Sequence, residues 1–179
     1  VIITKQALQQ ELLNNVKART NLNETAFFMP NLYTDSVGNI KLEFTSPEAL
    51  TQWKLLLFAH TKDLKTGSAT YYTQTQKKLM ITPNPPRFLR QDDKIQLSTK
   101  LDNLSDKDLS TDVMLQFFDA STNKVLDSAF VNTDNLRKIK IGAKASAEVN
   151  WDIKVPKAMD NVGYRVLAKS QNFSDGEEN

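Results

Sequence analysis

Cysteine is absent from this 179-residue sequence, which removes disulfide staples, thiolate metal sites and a cysteine nucleophile from its chemistry. Histidine is scarce too: with His60 alone, a serine-protease-like triad or a multi-histidine metal site is hard to build. No long apolar run occurs; the longest, Leu55 to Ala59, falls far short of the roughly 20 residues a membrane-spanning helix needs. Neither sign of charge dominates, because 23 basic and 21 acidic residues are interspersed and leave a formal net charge of +2. A nucleic-acid or anionic-membrane footprint would need the positive charge gathered on one face. No signal peptide is visible, and the chain starts on Val1, not on a methionine, which reads as an excerpt from something longer. These shortages argue against an enzyme, and they assign no catalytic, cofactor-binding or metal-binding residue. The expectation is a domain without a cofactor.

What is present is strand pattern. The length suits one large domain or two small ones. Residues 4 to 19, "TKQALQQELLNNVKAR", predict the one convincing helix, with Ala7, Leu8, Leu12, Leu13 and Val16 on an apolar stripe, Thr4 as cap, and Lys17 and Arg19 at the negative end of the dipole. After Thr20 the period changes to two. Ile40, Leu42 and Phe44 alternate with Lys41, Glu43 and Thr45, and the turn residues Asp35, Gly38 and Asn39 precede them, so residues 26 to 45 read as a hairpin. "TQWKLLLFAHT" is apolar on both faces, as in a central, doubly covered strand. A polar turn at "KTGS" leads into a Thr- and Tyr-rich strand. Pro83, Pro85 and Pro86 crowd a stiff connection, which puts a domain junction around residues 77 to 84. Beyond it, "KIQLSTKL", "DVMLQFFD", "NKVLDSAFV", "AKASAEVNWDIKVP" and "YRVLAKSQNF" each read as strands, and the acidic end "SDGEEN" as a solvated linker. Short strands at this spacing predict an all-β sandwich of immunoglobulin-like type.

The stretch from Asn21 to Gly67 resembles a segment of alpha-2-macroglobulin-like proteins. There a Glu-Thr pair and an aromatic-rich strand precede a Pro, an Ala-Leu and a Thr-x-Trp-Lys strand. The residues that carry the likeness are Glu24, Thr25, Phe27, Phe28, Pro30, Pro47, Ala49, Leu50, Thr51, Trp53 and Lys54. "PRFLRQDDKIQLSTKLDNLSDK", with Pro86 and Phe88, is similar to the start of the next macroglobulin module in bacterial members. "YRVLAKSQNFSDGEEN" is similar to that module's end. The resemblance spans about residues 20 to 179. It implies two macroglobulin-type β-sandwich modules: an N-terminal helix or linker over 1–20, a partial sandwich over 21–78 whose first strands lie elsewhere, and a complete one over 79–179. Helix 4–19, or a second copy, is expected to cover the unfinished surface. The resemblance further implies a non-catalytic segment of a large protein that traps or inhibits endopeptidases. Its partners would be neighbouring modules of the same chain and, through the whole protein, target proteases, with no nucleic acid and no membrane contact by this segment. Bacterial members are usually periplasmic or at the cell surface, often membrane-anchored. Many carry a Cys–Gln thioester, which in the family lies downstream.

Taken singly, the eye-catching residues favour structural roles. A catalytic Glu24 would need a partner within hydrogen-bond reach, which the sequence does not supply, so Glu24 or Thr25 is expected to bond backbone amides or a basic side chain where Phe27 and Phe28 enter the core. His60 with Asp63 falls short of a metal site. Trp53 and Trp151 are in phase with apolar neighbours, and burying such a ring is worth roughly 2 to 3 kcal/mol. Tyr71 and Tyr72 are adjacent in a strand and so face opposite ways, leaving one of them for solvent. "KTGS" lacks the context of a phosphate loop, and "NET", "NLS" and "NFS" fit the eukaryotic glycosylation pattern. The alternative to a protease-trap module is a cell-surface adhesion or glycan-binding immunoglobulin-like sandwich, which would expose a cluster of aromatics.

Overall fold

The computed structural model describes residues 5–157 and 161–179, with the side chains of residues 5–7 left aside. The expected cap Thr4 and the stripe side chain of Ala7 therefore lie outside the described residues. Two compact units result. One is discontinuous and joins residues 1–20 to 77–179; the other, 21–76, is inserted between those two segments.

The discontinuous unit is a seven-stranded sandwich. Counting in chain order after β1 (Gln52–His60) and β2 (Thr66–Gln74) of the inserted unit, its strands are β3 (Leu79–Asn84), β4 (Lys94–Asn103), β5 (Leu109–Asp119), β6 (Leu136–Ile141), β7 (Ser146–Lys154), β8 (Val162–Lys169) and β9 (Ser174–Glu178). One sheet runs β3-β4-β7 and the other β6-β5-β8-β9, with antiparallel pairing throughout. The alternation read from the sequence decides which side chains meet between the sheets. Leu97 and Leu101 of β4 and Val149, Trp151 and Ile153 of β7 point inward against Val113, Leu115 and Phe117 of β5 and Val166 and Ala168 of β8. The Trp151 indole N–H donates to the Asn135 carbonyl at 2.9 Å, so the largest core side chain is buried with its one polar group satisfied.

Helix α1 (Lys5–Asn14) is shorter than the predicted span of 4 to 19 and covers a different surface from the one expected. It lies on β5 and β8 of the sandwich. Met114 and Leu167, one residue out of step with the core-facing side chains, leave those strands apolar on their outer face, and Leu13 buries itself there against them, joined by Val16, Ala18 and Leu136. Leu8 and Leu12 remain largely exposed.

Three other expectations for this unit are corrected. The stretch "NKVLDSAFV" forms turns with one isolated bridge, Phe118 to Val125, because Asp127 turns inward to accept the Phe117 amide at 2.7 Å; the strand falls instead at 136–141. The acidic end is no linker: β9 pairs with β8, and Asp175 and Gly176 are buried. Pro83 lies inside β3, opposite Thr99, so the proline cluster begins within the sandwich; an edge strand tolerates a missing amide donor where a central one would not.

The inserted unit holds a two-stranded sheet, β1 paired with β2 in a nine-residue antiparallel register from Gln52↔Gln74 to His60↔Thr66. The predicted 26–45 hairpin keeps its turn, with the Asp35 amide donating to the Asn39 carbonyl at 2.8 Å, the Asp35 carboxylate accepting the Val37 and Asn39 amides, and Gly38 at φ 89°. Its arms form no ladder. β1 is not doubly covered either: Leu56 is 66% and Phe58 71% exposed, since the inserted unit has no second sheet of its own among the described residues.

Candidate functional site

The sandwich holds a buried ionic cluster at the two places where its chain is interrupted. The Arg19 guanidinium donates to both oxygens of Asp175, Nε to Oδ1 at 3.0 Å and Nη2 to Oδ2 at 3.1 Å, and also reaches the Glu177 carboxylate at 3.0 Å and the Ile81 carbonyl at 3.2 Å. Lys77 Nζ meets Asp175 Oδ1 at 2.8 Å, and the Ile81 amide donates to Asp175 Oδ2 at 3.0 Å. Asp175 is wholly buried and Arg19 nearly so. One carboxylate thus binds the last turn of chain before the insertion and the first residue after it.

Backbone pairing extends the same clamp. The Arg19 amide donates to the Gly176 carbonyl at 2.8 Å and the Glu178 amide to the Arg19 carbonyl at 3.0 Å, which adds residue 19 as a parallel bridge on the free edge of β9. Gly176 is required for that approach, because a Cβ there would stand 2.8 Å from Leu167 Cδ2 and 3.0 Å from the Ala18 Cα. Burial pushes the Glu177 carboxyl above its ordinary value, the Arg19 charge opposes that shift, and the Asp175 charge adds to it. Tyr164 is raised for the same leading reason, burial, with the Glu177 charge second. A residue-by-residue reading gave Arg19 to the helix dipole and the acids to a linker. The only trace was that Asp175 and Glu177 sit two apart around a glycine, a strand spacing.

The residues singled out in the sequence fall in both units, Glu24 to Trp53 in the inserted one and Pro86, Phe88 and Trp151 in the other. Glu24 and Thr25 are exposed, and among the described residues neither side chain meets a backbone amide. Glu48 does what Glu24 was expected to do: its carboxylate accepts the Asn21 amide at 3.3 Å while its own amide donates to the Asn21 carbonyl at 2.8 Å. Phe27 packs on Phe44 with ring centroids 4.4 Å apart, but Phe28 is 83% exposed. Pro47 is buried and Pro30 exposed. Trp53 is half-buried, its indole N–H donating to the Thr75 hydroxyl at 3.0 Å, which in turn donates to the Ala49 carbonyl at 2.7 Å. Pro86 is exposed, as is Phe88, which carries the Arg90 guanidinium 5.7 Å from its ring centroid. Trp151 alone is in the sandwich core.

His60 and Asp63 are exposed and separately engaged, His60 Nδ1 with the Thr61 carbonyl at 3.2 Å and Asp63 with Lys65 at 3.3 Å. Among the described residues no three His, Cys, Asp or Glu side chains are placed to hold a metal ion, and no helix is long and apolar enough to cross a membrane. Tyr71 and Tyr72 are both exposed, on opposite faces of β2.

A seven-stranded antiparallel sandwich, interrupted by a strand-poor insertion and clamped at the interruption, defines an all-β module of macroglobulin type. The model of the alpha-2-macroglobulin family matches residues 25–115, just over half of the sequence and parts of both units. The chain belongs to the alpha-2-macroglobulin family. An alpha-2-macroglobulin of Thermotoga maritima is 21% identical over 167 residues, 93% of this chain and 10% of the relative. An alpha-2-macroglobulin homolog of Nostoc is 28% identical over 81 residues, 45% of this chain and 4% of the relative. The chain therefore spans a tenth or less of the length of these relatives. In fold it is similar to a Salmonella alpha-2-macroglobulin mutant, at a TM-score of 0.57 and 12% identity over 81% of this chain and 9% of the other. Escherichia coli alpha-2-macroglobulin in its native conformation gives 0.53 and 12% over 82% and 9%.

Proposed function

We propose that this chain is a non-catalytic scaffold segment of a large, exported protein that traps or inhibits endopeptidases, working in the periplasm or at the cell surface. The observation that carries the reading is the family match across residues 25–115, which runs from the inserted unit into the sandwich. The inserted unit acts as part of a macroglobulin-like sandwich completed by strands from elsewhere in the polypeptide. What supports this is its physical incompleteness: two nine-residue strands with apolar residues on both faces form a sheet that is marginal on its own and has open edges. Partners are accordingly the neighbouring modules of the same polypeptide, with proteases engaged by the whole protein.

The glycan-binding alternative would need a single aromatic platform. Phe58 and Tyr72 lie on one face of the β1–β2 sheet and Tyr71 on the other, interleaved with Leu55, Leu56 and Leu57, which is the composition of a core awaiting its second sheet. The test is inhibition by the full-length protein. Mixed with an endopeptidase, a trap blocks cleavage of a large protein substrate while leaving a small chromogenic peptide accessible. Equal cleavage of both substrates with and without the protein would count against the proposal.

A further inference from the structure

An open groove of about 590 Å³ lies at one end of the sandwich, where β4 and β7 meet the turn that precedes β6. Lys94, Lys154 and Val131 are among the residues that line it; Ile153 is buried in the core and Ile95 packs against it, so Val131 is the exposed apolar side chain there. Val131 is unusual in two respects. It is 56% exposed, and its φ is 57°; it is the one β-branched residue among the described non-glycine positions with positive φ. A branched Cβ in the left-handed region is sterically costly and persists only where the surroundings impose it.

The surroundings do impose it. On one side, the buried Phe130 ring stacks on Phe117 with centroids 4.2 Å apart, and its carbonyl accepts the Lys154 amide at 2.9 Å. On the other, the buried Asn132 side chain donates to the Leu115 carbonyl at 3.0 Å and to Asp127 at 3.1 Å, while Asp127 also accepts the Asn135 side chain at 3.0 Å. Both neighbours of Val131 are locked, and the isopropyl group is held out over the groove.

The charges that line the groove are equally uneconomical for the fold. Lys94 and Lys154 are directly opposed in the β4–β7 ladder, an arrangement a sheet carries at a cost. Asp92 answers Lys154 at 3.5 Å and Lys157 at 3.7 Å, and Asp152, which also lines the groove, accepts from Gln96 at 3.0 Å. Among the described residues no acid pairs with Lys94.

We propose that this groove is a docking site for an acidic segment of a protein partner, which inserts one aliphatic side chain beside Val131 and sets a carboxylate against Lys94. This docking site is independent of the family reading. It rests on a strained apolar contact and an unanswered positive charge at the same opening, and complementary charge around an apolar anchor is how short segments are selected.

The test is a titration of the 15N-labelled 179-residue chain with the capped pentapeptide ELDLE, with KLKLK as control. Saturable amide shifts confined to residues 94–96, 129–132 and 152–154 are expected, with the acidic peptide binding the tighter. Lys94→Glu weakens it roughly threefold to fivefold, the worth of one exposed ion pair. Val131→Gly weakens it as well and, by relieving the backbone, raises the melting temperature. The proposal is overturned by no saturable shift at millimolar peptide, by equal response to both peptides, by shifts elsewhere, or by a Lys94→Glu chain that binds unchanged. A lowered melting temperature in Val131→Gly removes its premise of strain.

Discussion

At the residue scale the weight of the fold rests on a few buried polar groups. Asp175 has no access to water and is neutralised by Arg19 and Lys77 together, but unequally. Arg19 is buried and bidentate, whereas Lys77 is partly exposed. Removing one partner of a buried pair leaves an uncompensated charge, so Arg19→Met should lower unfolding free energy by about 3 to 5 kcal/mol. Lys77→Met, still leaving the guanidinium in place, should cost about 1 kcal/mol. Urea denaturation followed through Trp151 fluorescence distinguishes the two, and equal effects would mean that the lysine shares the load. Glu177 gives a pH prediction with a definite sign. Its folded pKa lies above the ordinary 4.5, so its contribution to stability is fully present below that value and is lost as the pH rises through the folded pKa. Glu177→Gln should therefore flatten the stability profile on the alkaline side of pH 4.5, and a mutant profile parallel to the parent's there would refute the assignment. None of this was legible in the sequence, where Arg19 and Asp175 lie 156 positions apart and nothing local marks either as buried.

At the scale of the element, what was legible was what depends on alternation alone. β4 and β7 follow from apolar residues at every second position, and the inward set is the one the sequence implies. The misreadings occur where a tertiary partner overrides local pattern. Residues 123–131 have the apolar content of a strand, yet the Asp127 network curls them into turns. Residues 174–178 are acidic, yet pairing with β8 and the Arg19 clamp makes them an edge strand. Helix α1 was recognised by its stripe, but which surface it would cover could not be known before Met114 and Leu167 were placed. Among the described side chains of the helix Leu13 alone is fully buried, so Leu13→Ala should cost about 2 to 4 kcal/mol by cavity formation, measured by urea unfolding. Gly176→Ala tests the clamp from the opposite side. Its Cβ meets the Ala18 backbone, so residues 18–19 should move off β9, and hydrogen exchange at the Arg19 and Glu178 amides should rise by at least about tenfold. Unchanged protection there would show that the strand edge tolerates the methyl.

At the scale of the whole molecule the two units differ in kind. The sandwich has two sheets, a continuous core and a clamp at its interruption; the inserted unit has one two-stranded sheet and a long stretch without a ladder. The family match covers parts of both, and the scaffold role proposed above takes the contrast to reflect how much of each module this chain contains; that is its central physical claim. Native-state hydrogen exchange, run on the 179-residue chain and on the same residues within the full-length polypeptide, tests it most directly. The account predicts that amides of β5 and β8 are equally protected in both, while those of β1 and β2 exchange by about a hundredfold or more faster in the isolated chain. Slow, equal exchange of β1 and β2 in both would mean that residues 21–76 are complete as they stand, and would contradict it.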